Sequence, residues 1–60
     1  MSYYLLEAPA YSTFGYFADV EKRIEASSNE DAREIATSLG TEKTEKGVEI
    51  IWSRSTITEI

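Results

Sequence analysis

Between Ile24 and Leu39 the hydrophobic period of the chain changes from two to about 3.6 within a few residues, and few folds accommodate that change. Upstream, Val20, Ile24 and Ala26, in company with Lys22, fall on one side of an extended segment. Glu21, Arg23 and Glu25 fall on the other, the pattern of a half-buried strand. Downstream, Ala32, Ile35, Ala36 and Leu39 recur at i, i+3, i+4 and i+7 and make a single apolar stripe. Ser28 stands where an N-cap should, with Asp31 three residues on. Glu30 and Asp31 set negative charge against the positive end of the helix dipole, and Gly40 supplies a stop. A strand running into a capped helix over residues 29–39 predicts an α+β domain with that helix across one face of a sheet.

The flanking segments supply the sheet. Residues 1–8 read as a strand with Tyr3, Leu5 and Glu7 on one side and Tyr4, Leu6 and Ala8 on the other. Both sides are largely apolar, as suits a central strand or one whose second face meets a partner. Pro9 lacks an N–H, so a bend is expected from Pro9 to Ser12. Ser12–Phe17, aromatic at 14, 16 and 17 around Gly15, reads as a hairpin arm. It is either set off from the Val20 strand by a turn at Ala18-Asp19 or joined to it as one long bent strand. Thr41–Gly47 reads as a solvated connection with a Lys46-Gly47 turn. Val48, Ile50 and Trp52 then alternate with Glu49, Ile51 and Ser53. Ile57 has the opposite parity, so Ser53-Arg54-Ser55 is a bulge or a turn into a last short strand, Thr56–Ile60. The sum is one domain, residues 1–60. It is an antiparallel sheet of three or four strands in the order β-β-α-β, with a further β if Thr56–Ile60 pairs. Phe14, Phe17, Leu5 and Trp52 are the expected large side chains of its core.

Sixty residues leave little stability to spare, since a core of this size rarely supplies more than roughly 3–5 kcal/mol. The chain has no Cys and no His, which excludes disulfides and thiolate or imidazole metal sites. No cofactor is implied. The absence of Cys fits a reducing compartment, so the cytoplasm is the expected location, and residues 1–9 lack the basic and apolar regions of an export signal while no apolar run approaches a membrane span, so no membrane protein is expected. Eleven acidic against six basic residues give a net charge of −5, which repels nucleic acid and anionic lipid and attracts a basic partner surface. Glu21/Glu25 and Glu30/Glu34 are the only candidate acid pairs. They fall on solvent-facing positions, so no catalytic residue is expected and the chain reads as a non-enzyme.

The junction Ser27-Ser28-Asn29-Glu30-Asp31-Ala32 after a strand resembles, in spacing, small β-β-α-β accessory proteins of phages and mobile elements. In those proteins a strand ending in apolar-x-Ala runs into Ser-x-Glu-Glu-Ala. The likeness covers residues 20–40. It implies the same fold and a small accessory or host-directed role, and it carries no family binding residue onto this chain.

Six of the seven aromatic residues lie within the first seventeen positions. One helix shields one sheet face, so the other face is expected to present tyrosines to another protein. Tyr3, Tyr11, Tyr16 and Arg54 are the expected contact residues. The corresponding function is a protein-interaction module, such as a phage-type inhibitor of a host or rival complex, acting through a Tyr-rich sheet face or an open strand edge. Two alternatives are a sheet-mediated homodimer and an acidic mimic of nucleic acid built on residues such as Glu21, Glu25, Glu30 and Glu34. Stacking of single-stranded nucleic acid on the aromatic rings, beside Lys22, Arg23 and Arg54, is opposed by the acidic balance.

Overall fold

In the computed structural model, which describes residues 1–60, β1 (Ser2–Ser12) and β2 (Gly15–Ala26) form one hairpin as long as the molecule itself. Twelve residues at about 3.3 Å each span the 38 Å long axis, against 18 and 16 Å in the other directions. Helix α1 (Asn29–Leu39) follows, then β3 (Thr41–Lys43), β4 (Glu49–Ile51), a 3-10 turn (Trp52–Arg54) and β5 (Thr56–Glu59). The α+β class and the single helix are as the sequence predicts, and the antiparallel sheet has five strands. Its order is β2-β1-β4-β3, with β5 also beside β1.

β1 is the central strand, and it runs straight through Pro9 where a bend was expected. The reason lies in its second neighbour. β5 pairs with Tyr4–Glu7 and β4 with Ala10 and Tyr11, so the partner changes across Ala8 and Pro9. Ile60 N–H donates to the Tyr3 carbonyl at 2.9 Å, so odd-numbered residues of β1 direct their backbone polar groups toward that seam. Pro9 faces the gap between β5 and β4, where a missing N–H forfeits no bond. Its other neighbour is Asp19 of β2, so of the two alternatives at Ala18-Asp19 the chain takes the single long strand rather than the turn. The turn sits at Thr13-Phe14.

Even-numbered residues of β1 face the helix: Tyr4, Leu6, Ala8 and Ala10 are all buried. They meet Ala26, Ala32 and Ala36, with Val20, Ile24, Ile35 and Ile57 packed around them. Five alanines in so small a core let α1 lie close on the sheet. Ser28 Oγ accepts the Asp31 N–H at 3.1 Å, and Asp31 Oδ2 accepts the Ser27 N–H at 3.0 Å, so the helix start is capped in both directions. Such a cap contributes about 1 kcal/mol. Gly40, at φ 61, ends the helix in a conformation that suits glycine. Its carbonyl then accepts the Trp52 N–H at 2.8 Å, fastening the 3-10 turn to the helix end.

Two further expectations are corrected. Thr41–Lys43 is a short edge strand rather than part of a solvated loop. Only Thr44–Gly47 turns, closed by Gly47 N–H to Thr44 O at 3.1 Å. Of the four expected core side chains, Trp52 alone is buried. Leu5 lies half-buried on the face opposite the helix, and Phe14 and Phe17 are exposed. The parity break before Ile57 is the 3-10 turn, which returns Ile57 to the helix side opposite Leu6.

Candidate functional site

α1 is about 16 Å long, less than half the length of the hairpin, so the far end of β1–β2 projects beyond its cover. Exposed rings concentrate there. In the turn, Ser12 Oγ accepts the Phe14 N–H at 3.2 Å, and Gly15 at φ 112 carries the chain back into β2. Phe14 is left at the apex with 99% of its surface exposed. Between Ala10 and Tyr11 the register shifts: Ala10 opposes Ala18 while Tyr11 opposes Tyr16. Phe17 is the extra residue of a β-bulge. It is 65% exposed.

The bulge decides where Tyr16 points. Unbroken alternation would set this even-numbered residue on the helix side with Ala18 and Val20. The extra residue turns it to the uncovered face, where its ring meets Tyr11 edge to face at 6.0 Å and 76°. Tyr16 keeps 61% of its surface exposed. Its phenol pKa is raised above the ordinary value near 10, first by hydrogen bonding to the Asp19 carboxylate, then by partial loss of hydration and the neighbouring charges.

Of the four residues singled out in the sequence, Tyr11 and Tyr16 are brought together, and Tyr3 and Arg54 lie elsewhere. Tyr3 shares their face but sits eight positions along β1, about 27 Å away, opposite Glu25. Arg54 lies on the 3-10 turn that packs against α1, in the helix layer rather than on the bare face. Phe14 and Phe17 join the cluster although their hydrophobicity placed them in the core. The Ser12-x-x-Gly15 spacing around Thr13-Phe14 is the signal that marks Phe14 as a turn residue.

Between the two ends of the face runs a charged row on β2: Asp19, Glu21, Arg23 and Glu25. Glu7 of β1 stands directly opposite Glu21, a like-charge pair that costs stability in the free molecule. β2 is also a free edge, paired with β1 alone. It is guarded by those four charges and by Lys22, which points to the helix side with its Nζ 5.5 Å from the centre of the Trp52 ring. No group of three or more His, Cys, Asp or Glu side chains is placed to hold a metal ion. No helix is long and apolar enough to cross a membrane.

Comparison with protein-family models, curated proteins and solved structures finds no match to this chain.

Proposed function

We propose that this chain is a non-enzymatic protein-interaction module that holds its partner through the far end of the β1–β2 hairpin. Phe14, Tyr16 and Phe17 act as anchors, and Tyr11 braces Tyr16. The observation that carries this reading is the exposure of three large rings at one end of the hairpin, with Phe14 wholly in solvent. Those rings contribute little to a core that is itself meagre. Clustered exposed aromatic side chains are the usual makings of an interface hot spot. The acidic row beside them favours a basic partner surface, which would also relieve the Glu7–Glu21 repulsion. The resemblance of residues 20–40 to phage and mobile-element accessory proteins extends the reading to a small inhibitor of a host or rival complex.

Affinity capture from source-cell lysate tests it, with wild type beside a Phe14→Ser/Phe17→Ser double variant and a Tyr3→Ser variant. The expected result is a partner lost from the double variant and kept by Tyr3→Ser, with all three proteins giving the same thermal melt. Recovery of the same proteins by all three would show that the tip is not the binding surface. An acidic mimic makes the opposite demand on salt: its complex should dissolve at molar ionic strength, whereas one anchored by rings should survive.

A further inference from the structure

Beside the aromatic tip is a polar notch that the rings do not fill. β4 pairs with the far end of β1, Ala10 opposite Ile50 and Tyr11 opposite Glu49, which brings the β1–β2 turn alongside the β3–β4 turn. The space between them is an open notch of about 200 Å³, lined by Tyr11, Ser12, Thr13, Gly47 and Glu49. We propose that this notch is a socket for the guanidinium group of a partner's arginine. The inference rests on the protein-binding reading above and adds the chemistry of one contact.

The charge selects the ligand. Glu49 is the only acidic side chain of the lining, which has no basic one, and the whole chain carries −5, so the notch attracts a cation and repels phosphate or carboxylate. Its shape and polar groups select among cations. A planar guanidinium carries five N–H donors in a fixed fork. The Glu49 carboxylate accepts two of them, the Thr13 hydroxyl oxygen and the remaining lone pair of Ser12 Oγ, which already accepts the Phe14 N–H, offer further acceptors, and the Tyr11 ring offers a surface on which the plane stacks. Gly47 forms its part of the wall without a side chain, at a φ of 81 that favours glycine. Glu49 already has one cation near it, Lys43 Nζ at 3.6 Å. Both side chains are substantially exposed, and a pair of this kind contributes little, so an incoming arginine meets a weak competitor.

The test uses blocked arginine, N-acetyl-arginine amide, titrated into the isotope-labelled protein while backbone amide resonances are followed. Blocked citrulline serves as the uncharged analogue and blocked lysine as the compact cation. Expected are saturable shifts at Tyr11, Ser12, Thr13, Gly47 and Glu49 with a Kd of order millimolar, no saturable shift with citrulline, and weaker binding of lysine. Glu49→Gln should abolish the response. Lys43→Ala should tighten it about two- to threefold by removing the competitor, and this second variant supplies the answer should Glu49→Gln not fold. Equal shifts with citrulline, arginine shifts confined to Asp19, Glu21 and Glu25, or unchanged binding by Glu49→Gln would each overturn the socket. Equal binding of blocked lysine would overturn the guanidinium assignment. Because no partner protein enters this titration, its failure leaves the capture result with Phe14 and Phe17 standing, and the reverse also holds.

Discussion

Trp52 ties together three elements. The indole N–H donates to Glu42 Oε1 of β3 at 3.1 Å, Lys22 of β2 lies over the ring, and the backbone is tied to the carbonyl at the end of α1. Leu6 is the one large side chain sealed completely, so little else can compensate for the loss of the ring. Trp52→Ala is expected to cost about 3–5 kcal/mol, as much as a core of this size supplies, and to leave the chain unfolded by circular dichroism. Trp52→Phe should stay folded with a lower melting temperature. Tyr4 gives a pH test. Burial, then the carboxylates of Glu59 and Asp31, raise its phenol above the usual value near 10. The unfolded chain therefore loses that proton first as pH rises. The stabilisation is complete below about pH 10 and is lost as pH climbs through the folded value. Melting temperature should fall above pH 10, and less steeply in Tyr4→Phe. Trp52 and Ser28 could be placed from periodicity and capping alone, whereas Tyr4 could not: both faces of the first strand are largely apolar, and Leu5, not Tyr4, is the core residue the sequence suggests. Phe14 and Phe17 could not, because hydrophobicity says nothing of a turn or a bulge that leaves a ring outside.

Among the elements, α1 was legible to the residue because its cap, stripe and glycine stop all agree. β3 was not, since Thr41-Glu42-Lys43 shows no alternation and exists by pairing with β4. The long hairpin was half legible. Its strand propensity is plain, but the length of β1 depends on Pro9 meeting a gap between β5 and β4, and no local pattern reports the far side of a sheet. The bulge is the feature most open to test. Deleting Phe17 should restore regular pairing, leave the Tyr11–Tyr16 contact intact and keep the fold, because Tyr16 would then follow Ala18 on the alternate face. Nuclear Overhauser contacts between the two tyrosine rings, read together with the thermal melt, check this. Loss of the ring contact would mean that the strands slip to another register once the extra residue is removed.

Over the whole molecule, the open edge of β2 governs assembly. Twelve residues without a second neighbour invite strand addition, yet Lys22 points inward and would be trapped beneath any added strand's apolar side chains. A monomer at micromolar concentration is expected in sedimentation equilibrium. Lys22→Val should shift it toward dimers or larger species, and a wild type already dimeric would show that the guard fails. The aromatic excess that first suggested an interaction surface was visible in composition, but its concentration at one end depends on the helix being shorter than the hairpin. The bond from Ile60 to the Tyr3 carbonyl has a practical corollary. Residues 1 and 60 lie together at the pole farthest from Phe14, so a bead, fluorophore or fused carrier attached at either one would hold the molecule upright with its aromatic end pointing outward.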